Sequence, residues 1–127
     1  IDAFVLDPTT ADPWYRRAVR VSMGEMIYLP IGRAARWPEA LNELRAHGFV
    51  IAALTPSHDA VDLSVFAASK PARVALLLGA EGPGLSQAAL HDSDVHVRIP
   101  ILSTVDSLNV GHAAAIAFAA LGNPDGA

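Results

Sequence analysis

The sequence predicts an α/β domain with a mainly parallel sheet and helices on both of its faces. Short runs rich in Val, Ile, Leu and Phe alternate along the chain with stretches of helical periodicity, the pattern of a layered α/β architecture. Val74-Ala75-Leu76-Leu77-Leu78 is apolar throughout rather than alternating, as in strands covered on both faces. The 127 residues, 52% hydrophobic and 17% charged, suffice for one compact domain with a real core and are too few for two.

The elements follow in order. Ala3-Phe4-Val5-Leu6 reads as a buried strand ended by Asp7-Pro8. Asp12-Pro13 has the form of an N-cap followed by proline in the first turn, opening a short helix through Val21 that Gly24 ends. Met26-Ile27-Tyr28-Leu29 reads as a second strand stopped by Pro30. From Pro38 to His47 the spacing predicts an amphipathic helix with Leu41, Leu44 and the Trp37 ring toward the sheet and Gly48 as its C-terminal cap. Phe49 to Leu54 is a third strand, ending at Thr55-Pro56.

Between Ser57 and Pro71 the only signal is a single helical turn near Val65-Phe66. Val74 to Leu78 is the clearest strand and is expected at the centre of the sheet. A short helix around Ser86 to Leu90 and a strand from Val95 to Ile99 come next, then a loop from Pro100 to Asp106. The last helix is expected from Leu108 to Leu121, closed by Gly122-Asn123-Pro124.

Composition removes several function classes. The absence of cysteine rules out disulfides, thiolate catalysis and thiolate metal sites, and the five histidines lack paired ligand spacing, so no metal is expected. No apolar run approaches the ~18 residues that cross a bilayer, and the N-terminal residues lack a secretory signal, so the expected address is cytoplasmic. A net charge of −4 speaks against nucleic-acid binding through bulk charge, though not against a local patch. Arg16, Arg17 and Arg20, with Arg33 and Arg36 nearby, form such a cluster, either a solvated helix face or a phosphate contact.

Two segments carry the chemistry. Gly79-x-x-Gly82-x-Gly84 follows the clearest strand, and Ser107-Leu108-Asn109-Val110 leads into an alanine-rich helix. Loops at the carboxyl ends of parallel strands gather at one sheet edge, so Thr55-Pro56, the glycine turn and residues 100–109 are expected to meet around one small-molecule pocket. The glycine spacing fits neither a dinucleotide loop nor a P-loop, and Glu81 within it opposes phosphate. A cationic or zwitterionic ligand suits it, with an ordinary structural turn as the alternative. Either Ser107 or Asn109 is expected to cap the last helix.

The run from Leu77 to Leu85, then Ile99-Pro100-Ile101, then Ser107-Leu108-Asn109-Val110 with Ala113-Ala114-Ala115-Ile116 behind it, closely resembles two motifs of a known family. They are the second and third motifs of the SpoU (TrmH-like) branch of the SPOUT RNA methyltransferases. Arg20-Val21-Ser22-Met23-Gly24 with Pro30 looks like the segment after the family's first motif, so the resemblance covers nearly the whole chain.

The resemblance implies a C-terminal deep trefoil knot that holds S-adenosylmethionine, and methyl transfer to a ribose 2′-hydroxyl of tRNA or rRNA, commonly by a homodimer. By position, Gly79, Ile99 and Leu108 match the family's cofactor contacts, with Leu54 and Thr55 at the edge of the site. Glu81, Gly82, Ser107 and Asn109 shape its loops. The implied catalytic set is Ser107, Asn109 and Glu81, and Arg16, Arg17 and Arg20 are the residues to meet RNA phosphate. The family's first motif, Asn-x-Gly-x-x-x-Arg, with its proton-handling arginine, is expected to precede Ile1. The chain is then expected to be a partial catalytic domain without a separate RNA-binding domain, weak or inactive alone. The competing expectation is a non-catalytic knotted module that binds S-adenosylmethionine or dimerises.

Overall fold

A computed structural model describes residues 1–101 and 108–122. They fall into two compact units, Ile1–Ala40 and Leu41 onward. Every strand pairing in both is parallel. Among the described residues no helix is long and apolar enough to cross a membrane.

In the first unit, β1 (Phe4–Leu6) pairs with β2 (Ile31–Arg33) in the register Phe4 to Ile31. Between them lies α1 (Arg16–Val21), shorter than the sequence predicts. Asp12 does not cap it: the Asp12 carboxylate accepts from the Trp14 N–H in a local turn, and Tyr15 takes the N-cap place. Gly24, at φ 81°, ends the helical stretch in a left-handed conformation that glycine adopts without Cβ strain.

The second strand is displaced from its expected place. Residues Glu25–Tyr28 form a 3₁₀ helix, with Ile27 N–H donating to the Gly24 carbonyl and Leu29 N–H to that of Met26. The strand begins after Pro30 rather than ending at it, because the Pro30 carbonyl accepts the Phe4 N–H at 2.8 Å and opens the ladder. Ile27 and Tyr28 stay exposed, and the apolar run read as a second strand forms this short helix instead. Arg33 Nη1 donates to the carbonyls of Asp7 (2.9 Å) and Thr10 (2.7 Å) and so fastens the loop after β1.

The second unit is a four-stranded sheet in the order β4-β6-β3-β5. Here β3 is Val50–Leu54, β4 Val61–Asp62, β5 Val74–Leu77 and β6 Val95–Arg98. α2 (Ala40–Ala46) precedes β3, and Gly48 at φ 84° turns the chain between them. α3 (Leu63–Ala68) precedes β5, and α4 (Gln87–His91) joins β5 to β6. α5 (Val110–Leu121) comes last and ends at Gly122.

Two expectations need correction here. The interior places fall to β3 and β6, with β3 between β6 and β5, while β5 is an outer strand of this sheet. An apolar run reports that a strand's faces are covered; its lateral place depends on which neighbours it pairs with. The stretch 57–71 holds a strand and a helix of six residues, not a single turn. β4 has two residues, too few for an alternation pattern to register.

Burial explains why these segments stay in place. Ile51, Ala52 and Ala53 on β3 are fully buried, and successive strand residues face opposite ways, so both faces are covered. On one face Ala52 and Val97 pack with Leu63 and Phe66 of α3 and Ala117 of α5. Leu41 of α2 and Ala89 of α4 are also buried. Each fully buried side chain the size of Leu41, Ile51 or Val97 contributes about 1.5–3 kcal/mol. Since β5 and β6 lie on opposite sides of β3, the chain reverses direction across the sheet there, and the loops after these strands border one crevice. The loop from Pro100 to Asp106, the expected knot threading and the closing Asn123-Pro124 lie wholly or partly outside the described residues.

Candidate functional site

The glycine turn is a tight hairpin. Gly84 N–H donates to the Ala80 carbonyl at 3.0 Å, and the two residues form an isolated antiparallel bridge. Gly82 and Gly84 take positive φ of 88° and 71°. The tightest demand falls on Gly79, where a Cβ would lie 2.3 Å from the Gly84 carbonyl carbon and 2.4 Å from the Leu85 nitrogen. Only glycine lets the chain close on itself directly after β5.

The entry to α5 is built around Asn109. Its Oδ1 accepts from the Gly111 N–H at 2.9 Å and the His112 N–H at 3.3 Å, so Asn109, not Ser107, is observed as the N-cap. With the amide oxygen committed to the helix, Nδ2 faces outward and donates to Glu81 Oε1 at 2.9 Å. That bond ties the helix entry to the hairpin across 28 positions of sequence. The two segments singled out in the sequence therefore meet.

They meet around a cavity of about 400 Å³, within the usual range for small-molecule pockets. Leu54, Thr55 and Pro56 line it from the end of β3, residues 78–82 and Gly84 from the hairpin, and Ile99 and Ile101 from the end of β6. Leu108, Asn109, Val110 and Ala113 complete it from the start of α5. All eight residues expected to hold the cofactor line this one space: Leu54, Thr55, Gly79, Glu81, Gly82, Ile99, Leu108 and Asn109. Ser107 lies outside the described residues. Pro56 lines it as expected of the Thr55-Pro56 loop; sequence reasoning missed Val110 and Ala113, although Ala113, three residues after Val110 and four after Asn109, shares their helix face.

The chemistry of this lining is selective. Its walls are apolar side chains of Leu, Ile, Val and Ala, which suit a flat aromatic base. The hairpin offers backbone N–H and carbonyl groups to polar edges. Among the described residues that line the pocket, Glu81 is the one charged side chain, which favours a ligand carrying positive charge. These features fit S-adenosylmethionine, a nucleoside with a sulfonium and an amino-acid tail.

Arg16, Arg17 and Arg20 stand on α1 in the first unit, grouped with Tyr15 and Val21 on its exposed surface.

Comparison with known proteins gives the geometry its context. A family model described as the SpoU rRNA Methylase family matches residues 1–119. An uncharacterised tRNA/rRNA methyltransferase of Mycobacterium tuberculosis is 54% identical over 119 residues, which span 93% of this chain and 41% of that protein. The 23S rRNA guanosine 2′-O-methyltransferase RlmP of Bacillus subtilis is 30% identical over 91% of this chain and 45% of its own length. The chain thus spans less than half the length of these relatives. Among solved structures, an AdoMet-bound rRNA methyltransferase from Sinorhizobium meliloti matches 94% of this chain and 45% of its own, with a TM-score of 0.82 and 30% identity. The SpoU methyltransferase AviRb from Streptomyces viridochromogenes, in complex with AdoMet, matches 94% of this chain and 46% of its own at a TM-score of 0.79 and 30% identity. By the extent of the family match, with the fold and the hairpin-to-helix pocket in agreement, this chain belongs to the SpoU rRNA methylase family.

Proposed function

We propose that this chain carries the S-adenosylmethionine site of an enzyme that methylates a ribose 2′-hydroxyl of tRNA or rRNA. The observation that carries the reading is the Asn109–Glu81 hydrogen bond, which draws the glycine hairpin and the entry of α5 around one pocket at the sheet's switch point. Relatives and structural neighbours named as RNA methyltransferases, two of them holding AdoMet, support it.

S-adenosylmethionine supplies a methyl group already activated by its sulfonium, so the protein's task is chiefly alignment. Leu54, Ile99 and Leu108 give the pocket its apolar wall, and Thr55 adds a hydroxyl to its lining. Gly79 lets the hairpin close and Gly82 takes its left-handed turn, and together they set the hairpin backbone along the pocket. Glu81 and Asn109 hold the two loops in fixed register and place one negative charge on the wall. Ser107 is assigned the same orienting role on its place in the motif, and Arg16, Arg17 and Arg20 meet RNA phosphates. On this reading the enzyme works as a homodimer in the cytoplasm.

Isothermal titration calorimetry of the full-length protein with S-adenosylmethionine, followed by mass-spectrometric mapping of ribose methylation in RNA, tests the proposal. Saturable binding and a 2′-O-methylated nucleotide are expected. A folded protein that binds no S-adenosylmethionine overturns it.

A further inference from the structure

We propose that the exposed surface of α1 binds an unpaired stretch of RNA, with a base stacked on the Tyr15 ring and the flanking phosphates held by Arg16, Arg17 and Arg20. The inference rests on the RNA-methylating reading and adds a preference for single strands and an aromatic contact. Three guanidinium groups fall within five successive residues of a chain whose net charge is −4. Among the described residues none of the three is in an ion pair, and α1 has no acidic residue in its first turn. An unneutralised cationic patch on an acidic protein is suited to a polyanion.

Tyr15 adds the second half of the chemistry. It is grouped with the three arginines on the same surface, and the residue is 61% exposed. Its backbone is pinned: Tyr15 N–H donates to the Asp12 carbonyl at 3.1 Å, and its carbonyl accepts the Val19 N–H at 3.1 Å. Among the described residues the guanidinium found over an aromatic ring is that of Arg73, above Phe49, so no arginine of α1 covers the Tyr15 face. An exposed ring on a held backbone beside three cations is the combination that binds single strands, where each base has a free face and each phosphate a charge. A duplex satisfies the cations but keeps its bases stacked away from the ring.

The test is fluorescence anisotropy with the full-length protein and a mixed-sequence 15-nucleotide RNA, either single-stranded or annealed to its complement. The wild type is expected to bind the single strand more tightly. Tyr15→Leu weakens single-strand binding about tenfold, leaves duplex binding unchanged and keeps the salt dependence, whereas Tyr15→Phe retains wild-type affinity. Replacing Arg16, Arg17 and Arg20 with Gln weakens both RNAs and flattens the dependence on salt. Equal effects of Tyr15→Leu on both RNAs, or none on either, overturn the inference while leaving the methyltransferase reading intact. A wild type that binds neither RNA overturns the inference, while the methyltransferase reading stands or falls on its own titration with S-adenosylmethionine. Sedimentation of the same variants supplies the remaining outcome: a shift to a smaller species, with RNA affinity unchanged, makes this face a contact between copies of the chain and overturns the inference.

Discussion

Asn109 does two jobs with one amide, and the geometry separates them. Its oxygen caps α5 and its nitrogen holds Glu81, so Asn109→Ala is expected to cost about 1 kcal/mol of stability for the cap. Methyl transfer should fall much further than that loss explains. Thermal melts beside methyl incorporation check this, and a variant that keeps full activity would remove Asn109 from the site. Gly79 is a sharper case. An added methyl would sit within 2.7 Å of three backbone atoms of Gly84 and Leu85, none of which is a flexible side-chain end. Gly79→Ala is therefore expected to destabilise the protein by about 1–3 kcal/mol and to weaken S-adenosylmethionine binding, measured by denaturant unfolding and calorimetry. At this scale the sequence was highly legible: a glycine triplet, one acid and one asparagine stood out by type and spacing. That their two loops meet follows from the gathering of loops at the carboxyl ends of parallel strands; the Asn109–Glu81 bond itself was not legible, because no local rule says which side chains 28 positions apart will pair.

Elements are held together by a few directed contacts as well as by the apolar core. Asp94, just before β6, accepts from the Ile51 N–H at 2.8 Å and from Arg45 Nε at 2.8 Å, while its own N–H donates to the Ile51 carbonyl at 2.8 Å. It thereby joins the start of β6 to β3 and to α2. Partial burial raises its affinity for a proton, but the Ile51 N–H and the Arg45 guanidinium outweigh that and hold the carboxyl below its ordinary value. The folded state therefore favours the ionised form. The stability gained is present above the ordinary carboxylate range and is lost as pH falls below it. Asp94→Asn should melt at a lower temperature than wild type near neutral pH, with the gap closing toward pH 3; a constant gap would refute this account. Element types were mostly readable from period and punctuation. The exception, residues 26–29, shows the limit: four apolar residues fit a strand or a short helix equally, and the Gly24 turn and the Pro30–Phe4 hydrogen bond decided between them.

At the scale of the molecule, function depends on a topological fact, the reversal of strand order around β3. It brings the ends of β3, β5 and β6 to one crevice, which α5 then borders. A ligand that binds there should slow amide exchange in the hairpin 79–84 and at the start of α5 together. S-adenosylmethionine at a hundredfold excess over its Kd should stabilise the folded state by about 2.7 kcal/mol. Hydrogen-exchange mass spectrometry reads the first effect and thermal melts the second. Protection confined to one of the two segments would contradict a shared pocket.

The amino-acid sequence by itself determined the α/β class, the parallel pairing, the family and the short list of residues worth testing. Those properties are written in local periodicity, in glycine and proline placement and in motif order. Only the tertiary structure decided that β3 rather than β5 is interior, that β2 begins after Pro30, and that Asn109 reaches Glu81. Strand neighbours and side-chain partners far apart in the chain are chosen by which packing buries the most apolar surface while leaving no backbone group unpaired, and that competition is settled by the whole chain at once.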